Sequence, residues 1–148
     1  MPGFAEMPHV NYLAVLVTGF VIFALGGLWY SPLFFAKPWT RMMGKTEEEL
    51  KAYMASPKAK REMPLMYAMA FVTGLLIAWV MAIVVNHFPP VTALRGAEVG
   101  AICWLGFAAA TSFATALFSM QPKALWLINS GYNLISFVLA GVILAIWK

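Results

Sequence analysis

The sequence predicts an all-α fold: an integral membrane four-helix bundle with short interfacial helices in the loop between helices 1 and 2. Three observations carry that expectation. Of 148 residues, 62% are hydrophobic and only 11% charged, whereas soluble domains are about half apolar and about a quarter charged. The apolar residues gather into blocks long enough to cross a bilayer, which takes roughly 18 residues or more. The charged residues gather between those blocks, above all in the segment 31–63. The length allows one domain, 1–148. The net charge of +4 sits mainly in one loop between two spans and so does not indicate nucleic acid.

Pro2, Gly3 and Pro8 oppose helix at the start of the chain. The first span is expected over about 10–30, with Asn11 and Tyr12 at its beginning and Trp29-Tyr30 at its end. Amphipathic aromatics favour the headgroup level, so Trp29 and Tyr30 are expected to anchor the chain in the membrane, and Pro32 stops the helix. Ala24 and Gly26 resemble a small-residue cleavage site. Residues 1–9 hold no Lys or Arg, however, and the apolar run is longer than a signal core, so a retained span is expected.

In the loop 31–63, Pro38 to Gly44 reads as a short interfacial helix with Pro38 at its first position, Trp39 as a membrane anchor and Gly44 as its stop. Thr46-Glu47-Glu48-Glu49 is a capping box that predicts a helix to Ala55, with its glutamates at the positive end of the dipole. Ser56-Pro57 begins another helix bearing Lys58, Lys60 and Arg61. Span two is expected over about 65–85, ended by Asn86-His87-Phe88-Pro89-Pro90. Span three is expected over 98–118, a turn follows around Pro122, and span four covers 124–147.

Seven Lys and Arg residues fall in the 31–63 loop and Lys123 in the turn, against Arg95 and Lys148 on the other side. Positive charge stays cytoplasmic, which places loop 31–63 inside and both termini outside.

Lipid tails are as apolar as leucine, so small residues and interhelical hydrogen bonds must hold spans together. Span two offers the stripe Ala70, Gly74, Ala78, Ala82, and span three Gly106, Ala110 and Ala114, so an interface is expected there, with more surface than one protomer uses. In span four, Asn129 and Asn133 are one turn apart and Ser136 lies a further turn along. Unpaired amides are costly in hydrocarbon, so this face must meet other helices or a polar ligand. Thr111, Ser112 and Thr115 of span three are the natural partners. The bland reading is polar glue between helices. The functional one is a binding face made of Asn129, Asn133, Ser136, Thr111 and Thr115.

No span carries a charged residue near its middle, which counts against a proton-driven pump. Met7, His9 and His87, with Met63, Met66 and Met69, are soft ligands of a kind that suits copper, but they share no fixed spacing. No metal or other cofactor is expected. No nucleophile stands beside a base, and there is no Gly-rich phosphate loop, so an enzyme is not expected and no catalytic residue is assigned.

Asn11 to Val15 opening span one, Gly27-Leu28-Trp29-Tyr30-Ser31-Pro32 closing it, Lys37-Pro38-Trp39, Met43-Gly44-Lys45-Thr46, Trp104 to Phe107 and Ile128 to Tyr132 together resemble a known family. It is the bacterial membrane protein family called domain of unknown function 1761. The resemblance covers nearly the whole chain and implies a multi-pass protein of the bacterial cytoplasmic (inner) membrane, without assigning an activity. The expected function is a small homo-oligomeric membrane protein that binds or passes a small solute or lipid along the polar face of helices 3 and 4. Two rivals are a non-catalytic accessory or scaffold subunit docked on a membrane partner protein and, more remotely, an integral membrane enzyme acting on lipids.

Overall fold

The computed structural model describes residues 8–88 and 92–148. Its helices are α1 (Tyr12–Trp29), α2 (Ala36–Met42), α3 (Glu47–Ala55), α4 (Pro57–Asn86), α5 (Ala93–Cys103), a π-helical segment (Trp104–Ala109), α6 (Ala110–Phe118) and α7 (Lys123–Ile146). No strand occurs among the described residues. Four helical stretches are long and apolar enough to cross a membrane: Tyr12–Trp29, Pro57–Asn86, Ala93–Phe118 and Lys123–Ile146. Met7, Pro89 and Pro90 lie outside the described residues.

Local chemistry sets the ends. The Asn11 side chain accepts from the Leu13 and Ala14 amides and starts α1. The expected capping box is formed: the Glu49 amide donates to Thr46 Oγ1 at 3.1 Å, and the Thr46 amide donates to Glu49 Oε2 at 2.9 Å. Gly44 ends α2 at φ +71°, a conformation that favours glycine. Two boundaries differ from expectation. Helix α2 begins at Ala36, so Pro38 is its third residue. The span-two helix begins at Pro57 rather than 65, because the Ser56 hydroxyl caps it and the helix continues through Pro64. Span three also begins earlier, at Ala93, where the Thr92 side chain accepts from the Arg95 amide. Glu98 therefore sits inside α5, paired with Arg95 at 3.0 Å.

Helix α7 is the hub, packing on α1, α4 and α5. Asn86 Nδ2 donates to the His9 carbonyl, and Tyr30 bonds Asn129, so the helix ends fall into two groups. The loop end joins the close of α1, the beginning of α7 and the long loop. The terminal end gathers the beginnings of α1 and α5 with the closes of α4 and α7. The dry core lies toward the terminal end, built from Ala14, Val15, Ala82, Val85, Val99 and Leu144.

Three close approaches hold the spans. Along α1 and α4, a Cβ added to Gly74 would lie 3.3 Å from the Gly19 carbonyl oxygen. Between α5 and α7, a Cβ on Gly96, Gly100 or Gly141 would fall within 3.0 Å of backbone on the facing helix. Gly74, Ala78 and Ala82 of the expected stripe are buried, whereas Ala70, Gly106 and Ala110 face outward. The α5–α7 seam thus uses Gly96 and Gly100, one turn apart and ahead of Gly106, and the chain's own packing leaves Ala70, Gly106 and Ala110 unused.

Candidate functional site

A polar groove of about 340 Å³ opens between α6 and the first half of α7. Thr111, Ser112 and Thr115 line one wall. Trp126, Asn129, Ser130 and Asn133 line the other, and Gln121 stands at the turn between them. Helical spacing produces the α7 wall, because residues three, four and seven apart share a face. The groove exists because α6 diverges from α7 while α5, beyond the π-helical segment, is pressed against it. Trp104, at the start of that segment, donates from Nε1 to the Ser130 carbonyl at 3.0 Å.

The turn at the groove mouth is a helix-ending motif of the Schellman type. The Gln121 amide donates to the Ala116 carbonyl and the Met120 amide to that of Leu117. Met120 takes φ +51°, where glycine is usual.

From the other side, α1 holds the wall in place. Trp29 Nε1 donates to the Ile128 carbonyl at 3.0 Å, and the Tyr30 hydroxyl donates to Asn129 Oδ1 at 2.8 Å. Trp39 packs on Tyr30 with ring centroids 5.4 Å apart. Trp29, Tyr30 and Trp39, the residues expected to seat the chain at the headgroup level, are all half-exposed, and the polar atoms of Trp29 and Tyr30 bond to α7.

Four of the five expected binding residues, Thr111, Thr115, Asn129 and Asn133, meet at the groove. Ser136 does not. It is buried one turn deeper and donates to the Tyr132 carbonyl at 2.9 Å. Its exclusion follows from the seam, because Gly100 closes on the Phe137 backbone there. Sequence reasoning did not assign Trp126 or Gln121. Trp126 shares the α7 stripe, three residues before Asn129 and seven before Asn133, and extending that stripe by one turn would have found it. Its Nε1 donates to Ser112 Oγ at 3.0 Å.

The hydroxyls of α6 are turned back on their own helix. Thr111 donates to the Phe107 carbonyl, Thr115 to that of Thr111 at 3.1 Å, and Ser112 to that of Ala109 at 3.2 Å. Among the described residues neither Asn129 Nδ2 nor the Asn133 amide makes a hydrogen bond. Ser130 Oγ is buried with no partner among them. His9 and His87 are exposed at the terminal end, away from the groove. Among the described residues no group of His, Cys, Asp or Glu could hold a metal ion.

Fold and groove together define a multi-pass helical membrane protein with a polar recess between two of its spans. The chain belongs to the family described as Protein of unknown function (DUF1761), whose pattern matches residues 13–145. No curated protein and no solved structure matches it.

Proposed function

We propose that the chain binds a small solute or lipid headgroup in the α6–α7 groove. The observation that supports this most directly is Asn133: a side-chain amide facing a recess between spans, with no partner among the described residues. An unpaired amide is costly where water is scarce, and a bound polar group would offset that cost. The polar lining is confined to the loop end, and the glycine seam closes the other half. This favours a site reached from one side over a conduit through a single chain. The Lys and Arg distribution favours the cytoplasm for that side. Outward-facing Gly106 and Ala110 suit contact with a second copy.

The test is native mass spectrometry of protein extracted gently from its membrane, comparing wild type with Asn133→Leu. Wild type should retain a small molecule or lipid in defined stoichiometry, and the variant should lose it while keeping its helical circular dichroism. Equal retention in both would sink the reading. The same outward small residues also favour a second reading, an accessory subunit docked on a different membrane protein. A stoichiometric foreign chain in the same spectra would select it.

A further inference from the structure

The groove's chemistry also indicates which class of ligand it takes, and this inference rests on the binding reading above. No lining residue is Lys, Arg, His, Asp or Glu. Asn129 Oδ1 is occupied by the Tyr30 hydroxyl at 2.8 Å, so this residue presents Nδ2 donors. Asn133 presents both halves of its amide. Thr111 and Thr115 have their hydroxyl protons committed to carbonyls of their own helix, so toward the groove they present acceptor oxygens. Ser130, only 4% exposed, holds a hydroxyl with no partner among the described residues. The lining is uncharged and mixes donors with acceptors at close range.

We infer that the ligand is an uncharged, hydroxyl-rich group, either the sugar or polyol headgroup of a neutral lipid or a free polyol. A hydroxyl donates and accepts at once, and adjacent hydroxyls can engage the C=O and NH₂ of one amide together. A phosphate or carboxylate only accepts. It would set its lone pairs against Asn133 Oδ1 and the threonine oxygens, and no cation stands in the lining to offset its charge. Lys123 and the positive end of α7 are at the mouth. That dipole fades within the first turn, and Asn129 and Asn133 lie beyond it. Trp126 completes the fit. Its ring N–H is tied to Ser112 and its ring packs on Phe113 at 4.9 Å, which leaves apolar ring surface for the C–H face of a sugar.

The test uses the full-length protein in detergent micelles and native mass spectrometry with four probes: a monoglucosyl diacylglycerol, diacylglycerol, phosphatidic acid and free methyl glucoside. The glycolipid should be retained about tenfold better than phosphatidic acid, a difference of one to two net hydrogen bonds. Asn133→Leu should cost about tenfold in glycolipid retention and Ser130→Ala about fivefold. Ser130→Ala should not lower the unfolding midpoint of the empty protein, because it removes a hydroxyl with no partner. Retention of methyl glucoside as strong as that of the glycolipid assigns the site to a free polyol, and retention of the glycolipid alone assigns it to a lipid. Phosphatidic acid or diacylglycerol held as well as the glycolipid, in an Asn133-dependent way, overturns the inference but keeps the groove as a binding site. No Asn133-dependent retention of any probe overturns the inference and the binding reading together.

Discussion

Gly141→Ala tests the seam that fixes the groove. A Cβ on Gly141 would lie within 3.0 Å of the Gly96 carbonyl oxygen, and one on Gly96 within 3.0 Å of that of Gly141. Both obstacles are backbone, so no rotamer change relieves them, and α5 and α7 must part until the contact reaches the ordinary 3.4 Å. Overpacking of this kind costs about 1–3 kcal/mol, and the rigid obstacle puts it at the upper end. Parting the helices also thins the dispersion contacts of Val99, Leu144 and Ala145 around the seam. Alanine's better helix propensity returns about 1 kcal/mol, which leaves a net loss of about 2 kcal/mol. Equilibrium unfolding in mixed micelles of increasing SDS content, followed by circular dichroism, measures it. Gly27→Ala is the control, because a Cβ there meets nothing within 4 Å, and it should be neutral or stabilising. The Gly96→Ala/Gly141→Ala pair should cost less than the sum of its parts, since one separation relieves both clashes. A Gly141→Ala protein as stable as wild type, or strict additivity in the pair, would refute the seam.

Three further outcomes are expected. Trp29→Phe removes the donor to the Ile128 carbonyl and should cost about 1 kcal/mol in the same unfolding assay, because that carbonyl keeps its helical partner; no change would show that the indole bond does not brace α7. Deleting Gly106 removes one residue from the π-helical segment, and such segments behave as insertions in an α-helix. The variant should stay helical by circular dichroism yet lose Asn133-dependent ligand retention, and unimpaired retention would exclude the segment as the source of the groove. Outside the membrane, the Tyr53 hydroxyl donates to the Glu62 carboxylate at 3.1 Å, which holds the phenol above its ordinary 10.0. The raised value means the contact favours the loop fold at neutral pH and is lost as pH rises through the folded-state pKa. Glu62→Ala should bring the ultraviolet titration of Tyr53 back toward the ordinary value, and an unmoved curve would deny the contact.

The spans and caps were legible because their causes are local. Thr46 and Glu49 are three residues apart, so the capping box could be read directly. Boundaries set by longer reach were not. Span two was expected to start at about 65, where the apolar run begins, separately from the helix started by Ser56-Pro57. Yet Pro64 falls in the exposed first part of α4, and the Lys60 carbonyl it leaves unpaired can turn to water. The late start assigned to span three, 98, cut off Gly96 and hid its spacing with Gly100, so the stripe at Gly106 and Ala110 stood in for the real seam. Trp29 and Tyr30 were read by amphipathicity alone, since their partners lie 99 residues away in α7. Of the site, the Asn129–Asn133 face was visible because buried amides are costly, but periodicity could not show where the seam closes, so Ser136 was included.

The two halves of α7 explain why a polar groove persists at all. Toward the terminal end, Ala140, Gly141 and Ala145 let α5 approach until side chains no longer separate the backbones. Toward the loop end, Trp126, Asn129 and Asn133 are too large and too polar for that approach, and small-residue contact is the main source of adhesion between spans in lipid. Without ties, α7 could rotate until its amides met any available partner and the recess collapsed. Trp104 on the Ser130 carbonyl, Trp29 on the Ile128 carbonyl and Tyr30 on Asn129 Oδ1 resist that rotation from two sides. Because the first two bond backbone, they fix α7 itself while leaving the side-chain amide of Asn133 free. The groove's width is therefore set by the chain's own packing, and the proposed ligand would meet the donors and acceptors without first having to order the helices around it.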